Sequence, residues 1–250
     1  RLWERRYPPA LQNYQLAPEL LQGNLAQWPA LLAERYGDSP AFTLVLPNGL
    51  TADLSFSQVQ ALSDQFAAWL IDEQQMQVGE VVAVQLPNSL HYPVAVLGAW
   101  KAGLIVTNVN PLYTEREVRN QLADSGARLL IACDLFVERA APIAQALGIA
   151  LLTTSLGDFF PPEVGRAIAA QAGVDAAGLP RVVDALAAGA ALPLPAYRAN
   201  PVALYQYTGG TTGLPKGARL TSRNLFMNNL QANVFYGYRT GEETVASAFP

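Results

Sequence analysis

Apolar and polar positions change their spacing several times along this chain, and each change marks an element. Val59, Leu62, Phe66 and Leu70 recur at three- and four-residue intervals, the period of a helix with one face on a core. Ser55 and Gln58 precede them as Ser-x-x-Gln, a capping box for the first turn. Upstream, apolar or alternating runs at 41–46 and 50–54 flank Pro47-Asn48-Gly49, and Asn-Gly between two such runs predicts a hairpin. A helix is expected before it, ending near Tyr36.

From residue 81 the pattern settles into a regular alternation. Short apolar runs at 81–86, 104–108, 129–133 and 149–153 read as strands, and 89–102, 115–125 and 136–147 between them read as helices. Asn88 is the expected cap of the first helix. Thr114 and Glu117 form a capping box on the second, and Gly126 stands just past its end. Short apolar strands separated by helices imply a parallel sheet covered on both faces. The predicted fold class is therefore α/β.

Residues 157–201 break this rhythm with Ala, Pro and Gly. Two weak helical patterns, 163–172 and 181–188, are punctuated by Pro161-Pro162, Pro180, Pro193 and Pro195. The segment is read as a surface connection between two sheets, with a membrane-apposed or partner-binding insertion as the alternative. Beyond it, 202–207 reads as a strand, 218–220 as a short second one, and Thr221 as the N-cap of a final helix.

Composition narrows the classes. With 250 residues, half of them apolar and few charged, the chain can bury a full core. A net charge of −4 argues against general affinity for nucleic acid. The single cysteine, Cys133, lies in an apolar strand; it excludes an internal disulfide framework and fits a reducing compartment. The lone His91 falls in a helix expected to be buried and is read as structural. No His/Cys cluster suggests a metal site. The uncharged runs 81–100 and 140–157 are broken by Pro, Asn and Gly, and read as soluble strand and helix pairs.

Between the last two strands lies the chemistry. Tyr207-Thr208-Gly209-Gly210-Thr211-Thr212-Gly213-Leu214-Pro215-Lys216-Gly217 combines four glycines with four hydroxyls and one ammonium. Bare backbone can curl its amides into an anion nest, with the hydroxyls as further donors. The sixteen basic residues comprise fourteen Arg and two Lys, so a Lys at 216 stands against the chain's own bias. An ammonium on a flexible stem can follow phosphate oxygens as they move. The loop is not a Walker P-loop: Pro215 and Gly217 flank the Lys, the following hydroxyl is missing, and the setting is a hairpin.

This string, followed by Ala218-x-Leu220-Thr221-x-Arg223-Asn224, resembles the phosphate-binding signature of the adenylate-forming superfamily, which includes acyl-CoA ligases, peptide-synthetase adenylation domains and luciferases. Gly209, Leu86-Pro87-Asn88 with Tyr92-Pro93-Val94, and Asn108-Val109-Asn110-Pro111-Leu112-Tyr113-Thr114 resemble the long-chain fatty-acid–CoA ligases in particular. Ser222 departs from them, since these ligases often carry His there. The resemblance implies ATP-dependent activation of a long-chain fatty acid through an acyl-adenylate, then transfer to CoA, with Mg²⁺ arriving with ATP. Adenylation of an aryl or amino acid, and a non-catalytic nucleotide-binding module, remain open as alternatives.

It also implies a site. Thr208, Gly209, Gly210, Thr211, Thr212, Gly213, Lys216 and Gly217 bind the phosphates, and Lys216 is the catalytic cation. Asn108, Asn110 and Tyr113 are read as fixing the turn before Thr114 rather than as site residues. The domains expected are an N-terminal segment and hairpin of a second subdomain (1–56), a first αβ subdomain (57–156), the connection (157–201), and the phosphate-loop hairpin opening the second subdomain (202–250). The chain is read as an N-terminal piece, inactive alone, with an incomplete second subdomain, and the magnesium, ribose and C-terminal lysine sites are expected beyond Pro250. Its expected setting is the cytoplasm, with peripheral contact at the inner face of the cell membrane and a homodimer as open options.

Overall fold

A computed structural model describes residues 4–7, 9, 12, 24–173, 178–189, 194, 201–208, 215–239 and 241–247. Helix α1 (Trp28–Tyr36) starts with Pro29 in its first turn, where a missing N–H costs nothing. Strands β1 (Pro40–Val45) and β2 (Thr51–Ser55) make the expected antiparallel hairpin as a sheet of their own. Leu46 N–H donates to Leu50 O at 2.8 Å, and Asn48 Oδ1 accepts from Leu50 N–H at 3.1 Å. Helix α2 (Phe56–Asp72) begins at its capping box: Ser55 Oγ accepts from Gln58 N–H at 3.2 Å and Gln58 Oε1 from Ser55 N–H at 2.8 Å.

The alternation from residue 81 yields β3 (Val81–Gln85), α3 (His91–Lys101), β4 (Ile105–Asn108), α4 (Glu115–Ser125), β5 (Ala127–Cys133), α5 (Val137–Leu147) and β6 (Ala150–Thr154). After α6 (Pro162–Ala172) and α7 (Val182–Ala188) come β7 (Val202–Thr208), β8 (Lys216–Thr221) and α8 (Ser222–Tyr236). Among the described residues, six strands form one sheet in the order β6-β5-β3-β4-β7-β8. All neighbours are parallel except β8, which runs antiparallel to β7.

Both faces of this sheet are buried along β3, β4 and β5, which explains their apolar runs, whereas β8 is largely exposed. On one face Val82, Val84, Val106 and Ile131 meet Phe66 and Leu70 of α2, Val94 of α3 and Val182 of α7. On the other, Ala83, Ile105 and Leu130 meet Val118 and Leu122 of α4 and Ile143 of α5. Helix α3 leads from β3 to β4, and α4 leads back past β3 to β5. Crossovers of one hand running in opposite directions place their helices on opposite faces. The chain therefore leaves β3 and β4 on different sides, and a crevice opens at their carboxyl ends.

Three expectations are corrected. Within the 157–201 connection, α7 is built into the core while α6 stays at the surface: Val182 is fully buried, Ala185 and Leu186 nearly so, and Thr153 N–H donates to Pro180 O at 2.8 Å. Val and Leu side chains are worth roughly 1.5–3 kcal/mol each when buried, so Val182 and Leu186 are enough to dock a short helix. Asn88 does not cap α3, which begins at His91; its amide donates to Ser247 O at 3.1 Å. The loop hairpin does not open a second sheet. β7 pairs with β4 through Val106–Leu204 and Thr107–Tyr205, and the indole N–H of Trp100 donates to Ala203 O at 2.8 Å.

Other local readings hold. Thr114 and Glu117 cap α4, and Gly126 ends it at φ 66°, left-handed backbone that suits Gly. Thr221 caps α8, with Asn224 completing the box. Ser222 is structural, because its buried Oγ accepts from Leu25 N–H at 3.1 Å and ties the N-terminal segment to α8. Burial pushes the Cys133 thiol up to about 12, which leaves it inert. Among the described residues no helix is long and apolar enough to cross a membrane.

Candidate active site

At the carboxyl ends of β3, β4 and β7 lies a cavity of about 500 Å³. Carboxamides and phenols line much of it, among them Asn88, Tyr92, Asn108, Asn110, Gln206 and Tyr207. Its position follows from the topology, since open α/β sheets bind ligands where neighbouring strands send their chains to opposite faces. Tyr92 OH donates to Asn108 Oδ1 at 3.2 Å, fixing the rim between α3 and β4. Burial raises the Tyr92 phenol above its usual value, and the bond to Asn108 only partly opposes this. Asn110 Oδ1 accepts from Leu112 N–H at 2.9 Å, so it does fix the turn before α4 while also facing the cavity.

The phosphate-loop string leaves this cavity from β7 and returns on β8. Thr208 pairs with Lys216 and Tyr207 with Gly217, so the two ends of the loop are adjacent rungs of one ladder. Lys216 is exposed on the first position of β8, and Pro215 precedes it with its φ fixed by the ring. The backbone that carries Lys216 is therefore stiffened at the mouth of the loop, and Lys216 pairs across the ladder with Thr208. Gly209, Gly210, Thr211, Thr212 and Gly213 lie outside the described residues.

Two members of the string act differently from the nest that the sequence suggested. Tyr207 is not a free donor for an anion, because its hydroxyl donates to Asp124 Oδ2 of α4 at 2.5 Å. Burial first, then that carboxylate, raises the Tyr207 phenol far above its usual value, so it stays protonated. Gly217 is not in the left-handed region; it is glycine for want of space. A Cβ there would lie 2.9 Å from Cζ of Tyr207.

Asp124 and Gln121 are the partners that sequence reading missed. Gln121 Nε2 donates to Thr107 Oγ1 at 2.9 Å and to Asn108 O at 2.8 Å, and Thr107 Oγ1 donates to Tyr205 O at 3.1 Å. One signal was available: Gln121 falls on the apolar stripe of α4 beside Val118 and Leu122, where a buried polar side chain needs a partner. For Asp124, 83 residues from Tyr207, no local signal exists.

His91 is structural, as read. It is buried against Phe159, with Nε2 3.0 Å from Asp158 Oδ2, while Arg181 pairs with the other oxygen. Burial pushes the Asp158 carboxyl up, but the His91 side chain, the Ser155 N–H and the Arg181 guanidinium outweigh it and leave it below its usual value. Among the described residues no group of His, Cys, Asp and Glu is arranged to hold a metal ion.

Residues 31–250 match the AMP-binding enzyme family. Over its whole length the chain is 34% identical to a long-chain-fatty-acid–CoA ligase of Salmonella typhimurium, covering 46% of that protein. The corresponding ligase of Escherichia coli O157:H7 is 33% identical over the whole chain and 46% of its own length. A 4-coumarate–CoA ligase of Oryza sativa is 33% identical over 77% of this chain and 32% of its own. The chain thus spans about half the length of the first two relatives. Among solved structures, a long-chain-fatty-acid-CoA ligase from Archaeoglobus fulgidus superposes with a TM-score of 0.70 at 24% identity, over 87% of this chain and 40% of that one. A benzoate CoA ligase from Burkholderia xenovorans gives 0.66 at 21%, over 86% and 38%. At these identities the two structures speak for the fold alone.

Proposed function

The chain belongs to the AMP-binding enzyme family, and from that premise we propose that its protein activates a long-chain fatty acid with ATP and passes the acyl group to CoA. The acid's carboxylate oxygen attacks the α-phosphorus of ATP, and the bond to the β-phosphate oxygen breaks. Acyl-adenylate and pyrophosphate result. The CoA thiol then loses its proton and attacks the acyl carbon, forming the thioester as AMP leaves. Catalysis of such a displacement is chiefly positioning and charge stabilisation.

The observation that carries this reading is the ladder that sets Lys216 opposite Thr208 at the end of β7 and β8, beside the crevice. Lys216 neutralises charge growing on the departing pyrophosphate, and Thr208 offers a hydroxyl to the same oxygens. Residues 209–213, which lie outside the described residues, are assigned to the same phosphate site on their sequence alone. Magnesium enters with the nucleotide; no cluster of this chain's described residues is assigned to it. The choice of a long-chain acid is supported by the two bacterial ligases that match the whole chain.

Pyrophosphate exchange tests it. The full-length protein, supplied with ATP and labelled pyrophosphate, should incorporate label into ATP when palmitate is added, and form palmitoyl-CoA when CoA follows. Exchange that responds to coumarate, benzoate or an amino acid but not to palmitate would transfer the assignment to another acid. Tight ATP binding with no exchange for any acid would leave a nucleotide-binding module.

A further inference from the structure

We propose that Asp124 and Tyr207 are a positioning pair that locks the register of the phosphate loop, an inference that rests on the reading of this loop as an ATP site. Tyr207 is the last buried residue of β7, one position before the loop's first rung. Its ring is held from two sides. The hydroxyl donates to Asp124 of α4, and Gly217 of β8 lies against the ring so closely that an added Cβ would sit 2.9 Å from Cζ and 3.2 Å from the phenol oxygen.

That second contact makes the ring a register gauge. Sliding β8 by one residue in either direction would bring Lys216 or Ala218 under the ring, and both carry a Cβ. Only Gly217 fits, so the ring, while Asp124 holds it down, allows one pairing: Thr208 opposite Lys216. The register decides whether ammonium and hydroxyl face the same oxygens.

The anchor for Asp124 is itself fixed. One turn earlier on α4, Gln121 grips Thr107 and Asn108 of β4, and Thr107 passes the contact on to Tyr205 of β7. Helix α4 therefore ties β7 down at Tyr205 and again at Tyr207. A phenol that keeps its proton beside a carboxylate makes a charge-assisted bond, stronger than one between neutral groups.

Three variants of the full-length protein test the pair. Tyr207→Phe keeps the ring and removes the donor, Asp124→Ala removes the acceptor, and Asp124→Asn keeps an acceptor oxygen. The measurements are ATP affinity by calorimetry without any acid, KM for ATP and for palmitate in pyrophosphate exchange, and Tm. Tyr207→Phe and Asp124→Ala should each weaken ATP binding and raise KM for ATP by about tenfold, with KM for palmitate unchanged. The double variant should be no worse than either single one, and Asp124→Asn should return to within about threefold of wild type.

A lowered Tm with unaltered ATP affinity and KM would overturn the pair and leave a plain structural brace. Equal losses for ATP and palmitate, or additive losses in the double variant, would overturn it too. If the wild-type protein binds ATP but exchanges nothing with palmitate, the choice of acid fails while the ATP affinities still judge the pair. If it does not bind ATP at all, both readings fall.

Discussion

Lys216 breaks the chain's preference for Arg, and the proposed role at the phosphates offers a reason. A guanidinium is a planar fork that suits one fixed pair of oxygens, whereas an ammonium can follow a pyrophosphate as it departs. Lys216→Ala in the full-length protein should slow adenylate formation roughly ten- to a hundredfold, from the loss of about 1.5–3 kcal/mol in one charge-assisted contact. Pyrophosphate release measures the rate, and fatty-acid affinity should hold steady; unchanged release would remove Lys216 from the site. Its neighbour acts by size. Gly217→Ala should destabilise the protein by about 1–3 kcal/mol through overpacking against Tyr207. Adding Tyr207→Ala vacates that space, so in urea denaturation the double variant should lose less than the sum of the two single ones.

At the scale of elements, α4 links the turn after β4 to the stem of the loop, and its own start is set by Thr114. Thr114 Oγ1 accepts from Glu117 N–H at 3.4 Å, and Glu117 Oε2 accepts from Thr114 N–H and O–H at 2.8 Å each. The backbone bond first, then the hydroxyl, holds the exposed Glu117 carboxyl below its usual value. Thr114→Ala should cost about 1 kcal/mol, read as a shift in the denaturation midpoint. Helices α2 and α3 are joined by a buried lysine: Lys101 Nζ donates to Asp64 Oδ1 at 2.6 Å and Gln60 Oε1 at 2.7 Å. Burial lowers the proton affinity of Lys101, and Asp64 opposes that shift. Asp64→Ala should therefore destabilise by about 2–3 kcal/mol, below the full figure for a buried pair because Asp64 is partly exposed. Replacing both partners, Lys101→Met with Asp64→Leu, leaves no charge of the pair behind and should cost less than Asp64→Ala in the same assay.

For the whole molecule, the connection after β6 is held down by apolar burial at α7 and by the His91, Asp158 and Arg181 cluster beneath it. This cluster gives stability a pH dependence of defined sign. Asp158 titrates below its ordinary value of 3.8 in the folded state. A carboxyl with a depressed folded value contributes stability fully above its unfolded value and loses it as pH falls through the folded one. Wild type should thus exceed Asp158→Asn in urea midpoint at neutral pH. The gap should begin to close only as pH drops below about 3.8, and a gap constant down to pH 3 would count against the assignment.

The sequence by itself determined what depends on near neighbours. Capping boxes at Ser55 and Thr114, the N-cap at Thr221, the Asn48-Gly49 hairpin, the α/β alternation from Val81 and the hairpin setting of the phosphate loop are all matters of a few residues' spacing, and all are found. The loop's four glycines and single Lys are read from a few neighbouring residues in the same way, and its role as a phosphate site is proposed from them. Tertiary structure alone decided the rest. Whether β7 joins β4 or starts another sheet depends on which apolar strand edge is free, and no local pattern records that. Pro and Ala around Val182 and Leu186 made a core helix look like a surface connection, because three buried apolar residues in a short helix give little periodic signal. Tyr207 belongs to the loop in sequence and to Asp124 in space. A hydrogen bond across 83 residues is set by the packing of α4 on β4 and β7, and it leaves no trace in either residue's neighbours along the chain.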